Sequence, residues 1–303
     1  MVRISIIVAT KNEDNGPHII KELQKAFGSD CEIIVVDKSA PKYRNALLKT
    51  GAKVVGQSSD GYENAVMEGF ALASGDILAN IDADGTHSVK DFKRVVEELE
   101  RSKKYGYGLV TGNRYGNMSR DAMAGHIKFG NMFLTKLFNL LYRQKMHDVM
   151  SGDVVMTREA YNEIKDIPPY RAGCLFFEIE LLRRGFKIKD IPISYKAREG
   201  TASKITRAKP IYGLTIAYHA VRYTRDYNPL LLFGSIGVIL IIAGLVITGI
   251  LLSYFIHTGS LLGVGRALIA FMLLTFGFLS IIAGLILDLL LEIEKKLYRR
   301  KQV

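Results

Sequence analysis

Short apolar runs alternate with amphipathic segments over the first part of this 303-residue chain. Five runs rich in β-branched and aliphatic residues have the length of buried strands, and they cover 4–8, 31–36, 53–55, 76–81 and 108–111. Between them, apolar residues recur at helical spacing in 18–27, 43–49, 61–73 and 90–101. Strands that alternate with helices in this way predict an α/β domain with a mostly parallel, Rossmann-like sheet covered by helices on both faces.

Polar side chains follow the first, second and fourth predicted strands, namely Thr10, Asn12, Glu13, Asp37, Asp82 and Asp84. We expect them to converge, because open α/β sheets bind ligands at the carboxyl ends of their strands. The i, i+2 carboxylates of Asp82 and Asp84 repel each other unless a cation lies between them. Mg²⁺ and Mn²⁺ prefer such oxygens and often bridge to phosphates. The pair taken alone also fits an acidic turn without a ligand.

The glycine patterns of the common nucleotide sites are missing from the first strand-to-helix turn. The sequence has no Gly-x-Gly-x-x-Gly after the first strand and no Gly-x-x-x-x-Gly-Lys-Ser/Thr. Phosphates at this edge of the sheet would therefore need a metal ion and separate basic side chains.

Two long segments without charged residues follow the α/β pattern. Residues 227–265 and 267–287 contain no Asp, Glu, Lys or Arg. The apolar segments 230–255 and 267–287 are each long enough to cross a hydrocarbon core of about 30 Å. Two buried helices of a soluble protein are the alternative. Cations lie before the first segment and after the second, with Arg266 alone between them, so both termini and the large domain are expected in the cytoplasm.

The net charge of +11 fits this membrane interpretation. No nucleic-acid recognition motif is present, and the cations gather around the apolar segments, where anionic lipid headgroups attract them. Cys31 and Cys174 lie in apolar stretches and are expected to be reduced core thiols. The predicted organisation is a catalytic domain at 1–205, an interfacial linker at 206–228, two membrane helices within 229–291 and a basic cytoplasmic tail at 292–303.

Short motifs occur in a fixed order through residues 1–205, and they cover 6–13, 34–37, 64–65 with Gly69, 75–84, 112–114, 129–131, Asp148 with 151–152, 192–195 and 198–204. Together these motifs resemble the family-2 glycosyltransferases of GT-A fold. They are more closely similar to the polyprenyl-phosphate type, typified by dolichyl-phosphate mannose and glucose synthases. The resemblance implies a cytoplasmic GT-A domain followed by interfacial helices and a two-helix transmembrane hairpin.

The resemblance implies that a nucleotide sugar is bound by Thr10, Asn12, Glu13, Asp37, Asp82, Ala83 and Arg198. Asp82 would face the ribose and a Mg²⁺ or Mn²⁺ ion, and Asp84 would ligate that ion. Thr86 stands where relatives often carry a further ligand, and its hydroxyl is a weak one. Arg198 lies in a glycine-containing segment and suits bidentate capture of the leaving diphosphate.

Three of these assignments have structural alternatives. Asn12 could only shape its turn, Asp37 could cap the helix that starts after Pro41, and Arg198 could lie in an ordinary surface loop. The chain also departs from the family pattern at Asp37-Lys38 and at 61–63. These departures leave the nucleotide base and the sugar unassigned.

The acceptor implied by the resemblance is a lipid phosphate, which is already ionised and needs cations rather than a general base. Candidate contacts to this phosphate are Arg114, His126, Lys128, Ser203 and Lys204. With Asp84 and Arg198, Arg114 completes the predicted catalytic set. The apolar run over 129–141 predicts either an interfacial helix that guides the polyprenyl chain or a core helix.

Asp148 and Glu178 form a second tier of candidate site residues. Either carboxylate could orient the acceptor cations or bind sugar hydroxyls. Glu178 could instead be a buried partner for Arg183 or Arg184.

The implied function is inverting transfer of one hexose from UDP-glucose or GDP-mannose to a polyprenyl (dolichyl) phosphate at the cytoplasmic membrane face. A second hypothesis is transfer to a hydroxyl acceptor on a lipid-linked glycan or polysaccharide. A third, of another class, is a non-catalytic membrane scaffold that binds a nucleotide sugar. The expected partners are the donor, the lipid acceptor and the membrane, without nucleic acid, and the sequence leaves a homo-oligomer open.

Overall fold

The computed structural model describes residues 3–169, 173–198, 218, 222, 228–260 and 263–301, with side chains described as far as residue 293. The chain divides between residues 220 and 221 into two compact units. The predicted acceptor contacts Ser203 and Lys204, and most of the predicted linker at 206–228, lie outside the described residues.

The described part of the first unit contains seven strands: β1 (Ile4–Thr10), β2 (Cys31–Asp37), β3 (Lys53–Gly56), β4 (Ile77–Asn80), β5 (Tyr107–Met118), β6 (Val154–Thr157) and β7 (Lys187–Tyr195). Its α-helices are α1 (Gly16–Phe27), α2 (Pro41–Leu48), α3 (Tyr62–Ala71), α4 (Val89–Ser102), α5 (Gly125–Tyr142), α6 (Arg158–Ile164) and α7 (Leu175–Arg183). The five strands and four helices expected from the hydrophobic pattern are all present, with ends that differ by one or two residues except in β5, which continues to Met118.

One mixed sheet joins the seven strands in the order β3-β2-β1-β4-β6-β5-β7. All neighbouring pairs are parallel except those of β6, which is antiparallel to both β4 and β5. The expectation of a mostly parallel sheet is thus confirmed, although β6 and β7 were not foreseen as strands. In the sheet register, Thr10 lies beside Asp37, so the ends of β1 and β2 meet at the same edge.

The core explains why these runs form central strands. Ile6, Ile7 and Val8 of β1 are fully buried, as expected for a strand with helices on both faces. A Cβ atom on Gly69 would overlap the Ile7 side chain, so α3 packs directly against β1. This close packing gives a physical reason for the glycine within the motif series.

The second unit contains two long apolar helices, α8 (Pro229–Thr258) and α9 (Val264–Lys301). Each includes 30 residues long and apolar enough to cross a membrane, and both predicted spans lie within them. The helices meet closely where a Cβ atom on Gly237 would lie 2.6 Å from the carbonyl oxygen of Gly277. Such small-residue contacts are typical of membrane helix pairs. The expected basic tail continues α9 as far as Lys301.

Candidate active site

The turn after β1 is hydrogen-bonded to the end of β2 and the segment that follows it. Thr10 Oγ1 donates a hydrogen bond of 2.8 Å to Asp37 Oδ1. Asn12 has a left-handed backbone (φ 54°), and its side-chain oxygen accepts a 2.8 Å hydrogen bond from the Ala40 N–H. Asn12 therefore shapes the turn, and its contact with the nucleotide stays a prediction. Asp37 does not cap α2, because the residue before that helix is Ala40 and no side chain caps its N-terminus.

The turn after β4 is organised around Asp84. Its Oδ1 atom accepts hydrogen bonds from the Thr86 N–H at 3.1 Å and the Thr86 hydroxyl at 2.6 Å. Its backbone carbonyl accepts from Asn15 Nδ2 at 3.2 Å, which links this turn to the start of α1. In the structure the weak candidate ligand Thr86 thus orients Asp84.

Asp82 is the second carboxylate of this turn, and about a third (34 %) of its side chain is accessible. Desolvation, together with repulsion by Asp84, raises the pKa of Asp82 to about 6. A cation between two such carboxylates would relieve the repulsion, so the pair fits a hard divalent ion. Among the described residues, no cluster of three or more His, Cys, Asp or Glu side chains could hold a metal. Within the part of the chain that the structure describes, the turn after β4 therefore supplies these two carboxylates. Ala83 between them is buried.

Arg198 lies in the site, between two acidic residues from different loops. It forms an ion pair with Glu13, and its Nη1 atom lies 3.5 Å from Asp84 Oδ2. The side chain of Arg198 is only 14 % exposed. The structure thus joins three residues that the sequence placed together, and the surface-loop alternative for Arg198 is wrong.

Behind Asp82, His87 and Asp153 form a buried ion pair that was not predicted from the sequence. His87 Nδ1 lies 2.8 Å from Asp153 Oδ2, and both side chains are almost fully buried. Burial disfavours the imidazolium, but the Asp153 carboxylate outweighs it and raises the pKa of His87 to about 9. The two residues are far apart in sequence, and no spacing pattern connects them.

Arg114 forms a bidentate ion pair with Asp148, at 2.7 Å from Nε to Oδ2 and 2.9 Å from Nη2 to Oδ1. Arg114 is 4 % exposed and Asp148 is fully buried. The guanidinium also lies over the Tyr195 ring, 5.4 Å from its centroid. Burial opposes the charge on Arg114, but Asp148 raises its pKa. This arrangement does not support the prediction that Arg114 is an open contact for the acceptor phosphate.

Helix α5 carries the other two described acceptor candidates, His126 and Lys128, near its N-terminus, and both are exposed. Its two apolar faces differ. Leu134, Thr135, Phe138, Leu141 and Tyr142 are buried in the domain. Phe129, Met132, Phe133 and Leu140 are exposed, with Phe129 at 74 %. The buried face fits the core-helix interpretation of the 129–141 run, and the interfacial interpretation stays a prediction for the exposed face.

Glu178 on α7 is fully buried, and neither carboxylate oxygen has a hydrogen-bond partner among the described residues. Desolvation, with minor repulsion from Asp148 and Asp190, raises the pKa of Glu178 well above its ordinary value. The suggested pairing with Arg183 or Arg184 is wrong, because both arginines pair with Glu180.

Tyr62 and Glu63 belong to the 61–63 segment that departs from the family pattern, and both form hydrogen bonds to distant parts of the chain. Tyr62 Oη accepts a 2.7 Å hydrogen bond from Asn80 Nδ2, and it lies 3.2 Å from the carbonyl oxygen of Gly152, to which it donates. The Glu63 carboxylate accepts a hydrogen bond from the Gly173 N–H, which joins α3 to the segment before α7. Both residues thus have a structural role in this chain.

A mixed sheet with this strand order, and an acidic pair at the carboxyl end of β4, define an α/β fold of GT-A type. The model of glycosyl transferase family 2 matches residues 5–165, which is more than half of the chain. The chain therefore belongs to glycosyl transferase family 2 and is a glycosyltransferase.

Similar proteins span most of the chain. Glycosyltransferase AglJ of Haloferax volcanii is 26% identical over 276 residues, which cover 89% of this chain and 88% of that protein. The dolichol-phosphate mannosyltransferase of Pyrococcus furiosus is 24% identical over 272 residues, or 85% of this chain and 74% of that protein. Among solved structures, glucosyl-3-phosphoglycerate synthase of Mycobacterium tuberculosis with Mn²⁺, UDP and phosphoglyceric acid matches with a TM-score of 0.58 and 16% identity. That match covers 73% of this chain and 78% of the synthase.

Proposed function

We propose that this glycosyltransferase moves a single hexose from UDP-glucose or GDP-mannose to a polyprenyl phosphate, of which dolichyl phosphate is one. The observation that carries the proposal is the convergence of Asp82, Asp84, Glu13 and Arg198 at the carboxyl edge of the sheet. A similar protein named a dolichol-phosphate mannosyltransferase supports the acceptor class.

In this proposal Asp82 and Asp84 hold Mg²⁺ or Mn²⁺ together with the donor diphosphate. When bound, the ion supplies positive charge that stabilises the leaving diphosphate. Its presence would offset the repulsion between the Asp82 and Asp84 carboxylates. Thr86 keeps the Asp84 carboxylate in one orientation through two hydrogen bonds.

Arg198 is the proposed protein cation for the diphosphate. Its guanidinium pairs with Glu13 and lies near Asp84. A diphosphate is a stronger bidentate partner than a single carboxylate oxygen at 3.5 Å. We expect Arg198 to leave Asp84 and bind the diphosphate when the metal and the donor enter.

The acceptor would reach the site along α5. The exposed face, which we call the α5 apolar face, consists of Phe129, Met132, Phe133 and Leu140. A helix with a buried core face and an exposed apolar face suits the boundary of a bilayer. His126 and Lys128 lie on the exposed first turns of the same helix, where they could position a lipid phosphate.

An ionised phosphate oxygen attacks the anomeric carbon, the bond from that carbon to the diphosphate breaks, and the configuration inverts. No proton has to be removed from the acceptor, so no general base is needed. A hydroxyl acceptor would need one, for which Asp148 is a candidate carboxylate. Both of its oxygens are engaged by Arg114 and it is fully buried, which favours the phosphate acceptor.

The two apolar helices support a membrane location. We propose that they form a transmembrane hairpin with the catalytic unit and both termini in the cytoplasm. The support is the distribution of lysine and arginine, which are frequent on both outer flanks, while Arg266 alone lies between the apolar segments.

The test uses the purified full-length protein with labelled UDP-glucose or GDP-mannose, polyprenyl phosphate and Mn²⁺. The double variant Asp82→Asn/Asp84→Asn is expected to lower transfer on the order of 100-fold or more. Asp30→Asn, an exposed carboxylate in the turn after α1, is the matched control. If neither donor yields a lipid-linked sugar, the proposed acceptor and donor classes are wrong.

A second measurement tests the hypothesis that the protein is a non-catalytic scaffold. The wild-type melting temperature should rise with UDP or GDP only when Mn²⁺ is present, and the double aspartate variant should show no such rise. Metal-dependent stabilisation without any sugar transfer would favour the scaffold.

A further inference from the structure

A buried histidine lies between the accessible carboxylate of Asp82 and the fully buried carboxylate of Asp153. His87 Nδ1 is 2.8 Å from Asp153 Oδ2, and its Nε2 is 3.9 Å from Asp82 Oδ2. The two ring nitrogens therefore face two acids from different parts of the chain. Asp82 belongs to the turn after β4, whereas Asp153 directly precedes β6.

The His87 ring is fixed by the end of β7. His87 forms an isolated antiparallel bridge with Tyr195, and the two rings pack edge to face with centroids 5.2 Å apart. The Lys196 N–H also donates a 2.9 Å hydrogen bond to the carbonyl of Thr86. Because both its backbone and its ring are in contact with Tyr195, the His87 side chain keeps one orientation.

Gly152 confines the other side of Asp82. A Cβ atom at position 152 would overlap the Asp82 carboxylate, so the backbone passes directly beside it. Because Gly152 adjoins Asp153, one loop supplies both the wall beside Asp82 and the carboxylate that binds His87. The direction of the Asp82 side chain is thus limited by backbone on one side and imidazole on the other.

Charge explains why a histidine suits this position. A fully buried carboxylate such as Asp153 requires a cation in contact, because an unpaired buried charge is strongly destabilising. A charged imidazole compensates Asp153 and leaves a positive edge toward Asp82. A glutamine at this position would fill similar space and could donate one hydrogen bond, but it would carry no charge.

We propose that His87, held by Asp153, is a positioning residue for Asp82. It keeps the Asp82 carboxylate directed to the metal, and touches neither the metal nor the sugar. This inference rests on the proposed role of Asp82 as a metal ligand. It adds two residues, His87 and Asp153, that act through Asp82. Groups that orient a metal ligand in this way typically change metal affinity about 10- to 100-fold when replaced.

The experiment measures Mn²⁺ binding to the full-length protein by electron paramagnetic resonance, in the absence of any donor. His87→Gln is expected to weaken Mn²⁺ binding by about 10-fold or more. The matched control is His147→Gln, an exposed histidine paired with a different carboxylate, Asp190. Its Mn²⁺ affinity should stay within twofold of wild type.

Two further variants test whether the residues act through Asp82. Adding His87→Gln to Asp82→Asn should cause no further loss of Mn²⁺ affinity, because the group it positions is already gone. Asp153→Asn should weaken binding like His87→Gln, and the double His87→Gln/Asp153→Asn should be no weaker than the His87→Gln single. The double variant also removes both buried charges, so it can fold where a single variant does not.

Wild-type Mn²⁺ affinity in folded His87→Gln, or in the double variant if the single does not fold, would overturn the inference. If the losses of Mn²⁺ affinity caused by His87→Gln and by Asp82→Asn multiply in the double variant, the inference is also overturned. If Asp82→Asn itself leaves Mn²⁺ binding unchanged, the metal role of Asp82 fails and this inference fails with it. If Mn²⁺ binding follows the expected pattern but no lipid-linked sugar forms, the positioning role stands and the proposed function is wrong.

Discussion

Arg114 and Asp148 form a bidentate ion pair inside the catalytic unit, with both side chains almost fully buried. The Arg114 backbone N–H donates a third hydrogen bond to the same carboxylate at 3.2 Å. Asp190 of β7 accepts a hydrogen bond of 3.0 Å from the Asp148 N–H. The pair and its hydrogen bonds therefore connect β5, β7 and the loop before β6.

Breaking this pair should destabilise the fold. Asp148→Asn leaves the Arg114 guanidinium buried without its counter-charge, which typically costs about 3–5 kcal/mol. For a unit of this size we expect the melting temperature to fall on the order of 10 °C. Arg101→Gln is the control, because that arginine is 71 % exposed and its pair with Glu98 contributes little. An Asp148→Asn protein with a wild-type melting temperature would contradict the structural role.

Arg198→Gln should separate donor chemistry from metal binding. Sugar transfer should fall by roughly 10²–10³, as when one charge-stabilising donor is removed from a transition state. Mn²⁺ affinity without donor should rise, because the cation that lies 3.5 Å from Asp84 is lost. Arg94→Gln, at an exposed arginine whose partner Asp91 belongs to α4, should change neither quantity. The interpretation fails if Arg198→Gln transfers sugar at the wild-type rate.

Glu178 provides a pH-dependent prediction. Burial raises the pKa of Glu178 well above its ordinary value, so the folded state favours the protonated acid. Its stabilising contribution is complete below the unfolded pKa, about 4.3, and is lost as the pH rises through the higher folded pKa. Glu178→Gln carries no titrating proton, so its melting temperature relative to wild type should increase with pH. If the difference in melting temperature between Glu178→Gln and wild type stays constant from about pH 4 to about pH 9, this prediction is wrong.

The α5 apolar face should matter for lipid acceptors and not for the fold. Replacing Phe129 and Phe133 with serine should raise the KM for a long-chain polyprenyl phosphate more than for a short water-soluble analogue. The melting temperature should remain close to wild type, since both rings are largely exposed. Leu48→Ser, an exposed apolar residue of α2, is the control. Equal effects on both acceptors would show that this face does not contact the lipid chain.

Local pattern predicted the first five strands because each is an apolar run followed by a helix. The short strand β6 has only four residues, and its antiparallel position between β4 and β5 depends on long-range pairing that no local pattern contains. The acidic pair after β4 was predictable for the same local reason. The His87–Asp153 contact was not, since it depends on the strand order.

The hydrophobic pattern does not identify the partner of Arg183 and Arg184, but helical spacing does. Side chains three and four residues apart are neighbours on a helix, and Glu180 stands at those distances from the two arginines. Glu178 lies five and six residues before them, so it points elsewhere. Helical spacing, which is a property of the amino-acid sequence, therefore favours Glu180 over Glu178 as the partner of both arginines.

Gly152 offers a way to move Asp82 without altering any charge. A Cβ atom there would overlap the Asp82 carboxylate, so Gly152→Ala must push that side chain away from its present position. We expect Mn²⁺ affinity and sugar transfer to fall together, each by about 10-fold or more, as for loss of a group that orients a ligand. Gly249→Ala on α8 is the control, because a Cβ atom at that position meets no heavy atom within 4 Å. If Gly152→Ala binds Mn²⁺ like wild type while transfer falls, the glycine acts on the acceptor side, and Asp82 is not confined in the way that its contacts indicate.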